Sequence, residues 1–336
     1  MNADTLIDIY CHIYPDRFYQ EMAKSAGKLG AIASRVRSIK KVHDLDERFR
    51  EMDAFGDYRQ VISLPNPSIE DFATGGTGLT LARIANDAMA ELCAKHPDRF
   101  AGFVAALSLT DVMGSLEEAK RAVNDLGAVG VQTFTPLAGR PLDEPAFEPL
   151  FALMAKLDRP IWLHPARTAA LSDYPAEAKS RFEMWWCFGW PYDTSVAMVR
   201  LALCGLFDRY PNLKIITHHL GGMIPFYDGR VGPGLDVLGA RTQDEDYSRI
   251  LPALKRPHLD YLHDFYADTA MFGGGVHALR CGYEFFGADK VVFATDTPFG
   301  PIKPAIDALR ALDMPAADRR KIFHGNALRL LGKTSR

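Results

Sequence analysis

The sequence predicts an α/β fold: a (β/α)8 TIM barrel with loop insertions at the C-terminal face of its strands. Eight short apolar runs alternate with longer amphipathic stretches along the chain. Several of these runs lack the polar alternation of a half-exposed strand, as expected for strands covered on both faces. Repetition of strand, helix, strand implies parallel pairing with right-handed crossovers. Closing eight such strands gives a barrel; a doubly wound open sheet is the alternative built from the same repeat.

The first apolar run is Leu6–Ile9, and a long insertion from Tyr14 to about Asp46 follows it. The second, Gln60–Leu64, precedes the helix-like stretch Gly78–Lys95, whose small and apolar positions recur at helical spacing until His96-Pro-Asp-Arg-Phe100 ends it. Run three, Phe100–Ala106, pairs with the helical stretch Gly114–Asp125, and run four, Ala128–Thr133, with Glu148–Lys156. After run five, Pro160–His164, comes the aromatic, Gly/Pro-broken segment Trp185–Tyr192 and then helix-like Thr194–Arg209. Leu213–Thr217, Phe265–Asp268 and Lys290–Asp296 complete the set, with Pro304–Leu312 as the last helical stretch. Both insertions follow the C-terminal end of a strand, where a barrel places its active-site loops. They read as lids or pocket walls, with a plain surface excursion as the other reading of the first.

Composition narrows the function classes. At 336 residues, 48% hydrophobic and 24% charged, the chain has enough length to bury a core without staples, and it reads as one domain over 1–336. A formal charge of −3 argues against bulk nucleic-acid binding. The five cysteines, Cys11, Cys93, Cys187, Cys204 and Cys281, are odd in number, scattered and without CxxC spacing, which suits reduced thiols. No basic-then-apolar leader opens the chain, and no apolar run nears the ~20 residues of a membrane span. The expectation is a soluble cytoplasmic protein that binds neither membrane nor nucleic acid.

The metal-type residues fall at strand ends. His12 comes just after strand one, in Asp8-Ile-Tyr-Cys-His12. His164 ends strand five, His218 and His219 end strand six, and Asp296 ends strand eight. In a barrel these ends meet at one mouth, so imidazoles and a carboxylate make a divalent metal site with open positions. Any one such histidine, taken alone, is better read as a hydrogen-bonded structural residue; their joint placement carries the metal reading. His43, His96, His258, His263, His277 and His324 sit in polar loop or helix surroundings and are read as solvated or structural.

These residues belong to a longer series of motifs. Asp8 to His12 with Pro15, Arg50-Glu-Met-Asp53, Gly130-Val-Gln132 and Trp162-Leu-His164-Pro165 come first. Gly205-Leu-Phe-Asp-Arg-Tyr-Pro-Asn-Leu-Lys214, His219-Leu-Gly-Gly222, Thr295-Asp-Thr-Pro-Phe299 and Gly325-Asn-Ala-Leu follow. In this order they resemble the amidohydrolase-2 branch of the amidohydrolase superfamily, which includes aminocarboxymuconate-semialdehyde, γ-resorcylate and 5-carboxyvanillate decarboxylases. The resemblance implies His12, His164 and Asp296 as metal ligands, Asp296 also as proton carrier, and His219 as catalytic histidine. It matches Arg230 to an arginine that reaches a neighbouring subunit's site, hence a homodimer or homotetramer, and Arg48 to a substrate-carboxylate arginine. A guanidinium suits a carboxylate because its planar fork binds both oxygens, although an exposed helix charge is the other reading of Arg48.

One position departs from the pattern. The group two residues before His12, usually histidine or glutamate in the superfamily, is Tyr10. A phenol with a pKa of ~10 is a poor ligand unless a dication draws off its proton. Three outcomes follow: phenolate ligation, a site of His12, His164 and Asp296 completed by water or substrate, or loss of the metal. The second is preferred here, with His218 as a compensating polar group. Tyr10, His218 and Trp186 are candidate substrate contacts. Trp185, Trp186, Phe188 and Trp190 suit the wall of a flat pocket, or otherwise a core or interface.

The leading functional expectation is metal-dependent, non-oxidative decarboxylation of an aromatic or enol-type carboxylic acid. The cofactor is one divalent ion, zinc first, with manganese and iron also suited. Hydrolysis of an ester, lactone or amide by a metal-activated water is the second reading. A metal-free barrel acting as a binding protein is the third. The triplet Gly273–Gly275 lacks the Lys-Ser/Thr of a phosphate loop.

Overall fold

A computed structural model describes residues 5–24, 35–36 and 38–333. Eight parallel strands lie in sequence order in one sheet: β1 (Leu6–His12), β2 (Tyr58–Ser63), β3 (Phe100–Ala105), β4 (Gly130–Thr135), β5 (Ile161–Pro165), β6 (Ile215–Thr217), β7 (Tyr266–Asp268) and β8 (Val291–Val292). Each pairs in parallel with the next. The ring closes between β8 and β1, where the Ile9 amide donates to the Phe293 carbonyl at 3.0 Å. The fold is therefore a (β/α)8 barrel, not an open doubly wound sheet.

The strands form where the apolar runs predict, and all are buried along their length apart from Arg59. Alternate side chains explain the two layers of core. Ile7, Ile9, Val61, Val104, Trp162, Ile216 and Val292 point into the barrel. Phe103, Val131, Ile161, Leu163 and Ile215 face the surrounding helices. The barrel's far end is plugged by the helix Asn326–Leu330, whose Ala327, Leu328 and Leu330 join the inner layer. Asn326 locks this plug in place by donating to the carbonyls of Ala288 and Val291, both at 2.7 Å. That is the work of the Gly-Asn-Ala-Leu motif.

Helices Gly75–Lys95, Val112–Asn124, Glu148–Leu157 and Ile302–Ala311 match the amphipathic stretches to within a few residues. Thr194–Arg209 differs from expectation. It splits into Gly189–Leu203 and Leu206–Arg209 because Gly205 adopts a left-handed conformation, φ 71°. The longer helix also starts earlier and takes in Trp190 and Pro191, since proline is tolerated in a first turn. Helices Asp16–Ala23 and Leu45–Met52 fall in or beside the first insertion; its middle lies outside the described residues. Among the described residues no helix is long and apolar enough to cross a membrane, and all five cysteines are free thiols.

Candidate active site

The strands deliver their chemistry to one mouth. His12 ends β1 and His164 lies one residue from the end of β5. His218 and His219 follow β6, Asp268 ends β7, and Asp296 sits four residues past β8. All six are buried. His12 Nε2 is 3.1 Å and His218 Nε2 3.5 Å from Asp296 Oδ1. The potential ligand atoms of His12, His164 and His218 lie within 4.8 Å of one another, as do those of His218, His219 and Asp296.

Each imidazole is held from behind by its Nδ1. His164 Nδ1 meets the Pro165 carbonyl at 2.6 Å, and His219 Nδ1 the Ala270 carbonyl at 2.7 Å. His218 Nδ1 lies 2.5 Å from Asp268 Oδ2. His12 Nδ1 lies 3.2 Å from Ser63 Oγ, whose own proton goes to the Cys11 carbonyl. A carbonyl or carboxylate only accepts, so Nδ1 carries a proton, and Nε2 offers its lone pair to the mouth wherever the ring is neutral. The Nε2 atoms of His12 and His218 are buried without a hydrogen-bond partner. An orphaned buried nitrogen is costly. Here two of them aim at one carboxylate without aligning as hydrogen bonds to it, which is the arrangement a shared cation satisfies. The donor set therefore fits a divalent metal ion.

Local backbone explains why the motifs have their spelling. Asp296, His219 and Leu220 all have φ between 56° and 64°, a region that L residues rarely occupy. Gly300 allows the Asp296 turn, because a Cβ there would lie 2.0 Å from the Thr295 carbonyl oxygen. Gly222, with φ 63°, brings the β6 loop against Pro191, where a Cβ would meet the Pro191 carbonyl at 2.4 Å. Asp8, buried below the site, accepts from the Thr295 amide and hydroxyl and from the Tyr58 hydroxyl. It ties the β8 turn to β1 and so sets Asp296 against His12.

Charge is unevenly shared. Burial pushes His12 and His164 below the ordinary histidine range. Burial, with the neighbouring His218, takes His219 down to about 4. His218 is opposite: burial disfavours its proton, but the Asp268 carboxylate outweighs this and holds it up at about 9. Burial would also raise Asp296, yet its contacts with His12 and His218 hold it far below the usual carboxylate range. The mouth thus has a negative field that favours one positive charge, whether proton or metal. Tyr10 is driven well above the ordinary phenol range by burial and then by Asp268 and Asp296. Its hydroxyl donates to Gln132 Oε1 at 3.2 Å, and Gln132 in turn donates to the Leu64 carbonyl.

The remaining predicted residues are placed as follows. The Trp190 ring is parallel to His219 at 6.3 Å between centroids and edge-on to His164 at 5.7 Å. Phe272 stacks near His219 from the β7 loop at 6.1 Å, and Trp186 packs on Phe272 at 5.9 Å. The aromatic insertion therefore lies over the site. Arg48 is brought close but turned elsewhere: its guanidinium donates to Gln60 Oε1 and to the carbonyls of His12 and Lys41. Arg230 lies apart, exposed in the short helix Asp228–Val231 and 5.9 Å from the Tyr227 ring. Asp268 and Asn66, which donates to the Pro165 carbonyl at 3.0 Å, are further residues of the site. Asp268 carries the same sequence signal as Asp296, a carboxylate closing an apolar run. Asn66 carries none.

Residues 7–333 match the model of the amidohydrolase family. The chain belongs to that family. This amidohydrolase is 35% identical over 298 residues to γ-resorcylate decarboxylase of Rhizobium sp. (strain MTP-10005), covering 85% of this chain and 86% of the relative. Its structure resembles 5-carboxyvanillate decarboxylase of Novosphingobium aromaticivorans complexed with manganese and 4-hydroxy-3-methoxy-5-nitrobenzoic acid (TM-score 0.82, 26% identity, 99% of each chain). It also resembles dihydroxybenzoic acid decarboxylase of Polaromonas sp. JS666 with manganese and 2-nitroresorcinol (TM-score 0.77, 28% identity, 98% of this chain and 97% of that one).

Proposed function

We propose that this amidohydrolase is a metal-dependent carboxy-lyase that removes carbon dioxide, without oxidation, from an aromatic acid bearing a hydroxyl beside its carboxylate. The observation that carries the reading is the convergence of buried Nε2 atoms and the Asp296 carboxylate beneath an aromatic cover. His12, His164 and Asp296 would hold the ion. Imidazole and carboxylate donors suit zinc, manganese and iron alike, and both solved relatives described above carry manganese. When bound, such an ion supplies Lewis acidity toward the substrate's carboxylate and neighbouring oxygen.

The chain's own groups do the rest. Trp190 and Phe272 lie roughly parallel to the His219 ring, so a planar acid would meet flat aromatic faces there. His219, neutral because of its burial, offers an uncharged Nε2 to a substrate oxygen. Asp296 would take the proton that the substrate's hydroxyl gives up on binding and pass it to the ring carbon that bears the carboxylate. The bond to the carboxylate then breaks, its electron pair restores the ring, and carbon dioxide leaves. Arg48 acts at one remove by fixing the end of β1 through the His12 carbonyl. Arg230, being exposed, is available to a neighbouring copy, and we infer a homodimer or homotetramer in the cytoplasm, testable by light scattering.

The test is product analysis. Metal-loaded protein is incubated with a panel of hydroxybenzoates, and carbon dioxide and the decarboxylated phenol are measured. Release of both from at least one acid is expected. A new acid formed from a neutral ester, with no carbon dioxide from any panel member, would favour hydrolysis instead.

A further inference from the structure

The residue at position 10 withholds a ligand from the metal site, and the fold supplies another. We propose that His218, oriented by Asp268, is a direct protein ligand of the metal ion, standing in for the group that Tyr10 does not provide. The inference rests on the metal-dependent reading above.

Four observations converge on it. The Tyr10 hydroxyl is committed to Gln132 and lies in a fully buried setting. The His218 ring stands beside it, with centroids 4.2 Å apart, and is 4.9 Å from the His164 ring. His218 Nε2 is buried, lacks a hydrogen-bond partner, and shares a 4.8 Å neighbourhood with the ligand atoms of His12 and His164. It shares a second such neighbourhood with Asp296 and His219, so it is the one residue common to both potential ligand groups among the described residues.

The ring is also fixed as a ligand is fixed. Asp268 Oδ2 holds Nδ1 at 2.5 Å, while Asp268 Oδ1 accepts from the amides of His219 and Ala270, each at 3.0 Å. Asp268 therefore cannot swing, and neither can His218. A carboxylate behind a ligating imidazole sets the tautomer and raises its basicity. Were His218 only the cationic partner of Asp296, its Nε2–H would align on that carboxylate; at 3.5 Å it does not form a hydrogen bond to it. Nε2 is instead buried and unpaired, as is His12 Nε2, and the two residues offer ligand atoms to the same 4.8 Å neighbourhood.

The experiment reads metal binding and not turnover. Purified protein is stripped with chelator and titrated with Co(II), following the visible d–d absorption, for wild type, His218→Ala, Tyr10→Phe and Asp268→Asn. Thermal unfolding monitors the fold of each. His218→Ala should lose Co(II) affinity by about 100-fold or more and shift the absorption bands. Asp268→Asn should weaken affinity by about 10- to 100-fold. Tyr10→Phe should bind as wild type does. A folded His218→Ala protein with wild-type affinity and spectrum overturns the proposal, as does loss of binding in Tyr10→Phe. If His218→Ala fails to fold, Asp268→Asn decides, and wild-type affinity there overturns it. Wild-type protein that takes up no Co(II) overturns the metal-dependent reading itself, a result distinct from failure of His218 alone.

Discussion

Arg48 and His12 illustrate how a residue acts through its neighbour. The Arg48 guanidinium is buried, and three of its donor contacts hold Gln60, Lys41 and the His12 carbonyl. Removing it leaves those acceptors without a donor in a dry setting, a loss on the order of 2–4 kcal/mol. Arg48→Met is therefore expected to lower the unfolding temperature and to weaken metal binding through His12. A direct contact with the substrate carboxylate would instead raise KM and leave the melting curve in place. At this scale the sequence exposes ligand types well and roles poorly. His12, His164, His219 and Asp296 are conspicuous because each follows an apolar run. Asp268 follows one too, but its partner His218 is 50 residues away, and only β6 lying beside β7 brings them together.

At the scale of an element, turns carry the site. The Thr295-Asp-Thr-Pro-Phe-Gly300 segment places Asp296 at φ 64° and leaves no room for a Cβ at Gly300. Gly300→Ala should cost on the order of 1–3 kcal/mol by overpacking, and Co(II) affinity should fall with it because the Asp296 turn must shift. A variant that melts as wild type does would show that the turn relaxes freely. The β2 loop contributes a second test. Burial raises Glu70 to about 7 from an ordinary 4.5, even though its Oε1 accepts from the Leu109 amide at 2.8 Å. Between those two values the folded state keeps a proton that the unfolded chain has released. This contribution to stability is complete below 4.5 and is lost as pH rises through about 7. Glu70→Gln should match wild type near pH 4.5 and exceed it by roughly 3 kcal/mol at pH 8. Equal stability of the two proteins at pH 8 would count against that burial cost. The strands were legible as elements because strands covered on both faces read as apolar runs. The break at Gly205 was not, since the periodicity of Thr194–Arg209 continues across it and only the glycine's left-handed φ divides the helix.

Across the whole molecule, the barrel brings groups nearly 300 residues apart into one cluster, as with His12 and Asp296 at 3.1 Å. The cost of collecting them falls on the fold, which buries several imidazoles in neutral form and leaves two nitrogens unpaired. A bound ion removes that cost. At a free metal concentration of ~100 Kd it should stabilise the protein by about 2.7 kcal/mol, or roughly 4 °C in a chain of this size. Scanning calorimetry with and without chelator measures the difference, and coincident melts would indicate a site that holds no metal. Barrel topology was readable from the strand–helix repeat, as was the meeting of strand ends. Which ends touch, and that the aromatic insertion lies over His219, depended on loop paths with no periodic signal.

The most direct test of the central claim is carbon dioxide release from hydroxybenzoates by the metal-loaded protein, set beside Asp296→Asn loaded under the same conditions. The wild type should release carbon dioxide from at least one acid in stoichiometric step with the phenol. The variant should be slower by about 10²- to 10⁴-fold, the range for loss of a proton-transferring group. Equal rates in the two proteins, or no release by a wild type shown to hold its metal, would contradict the account.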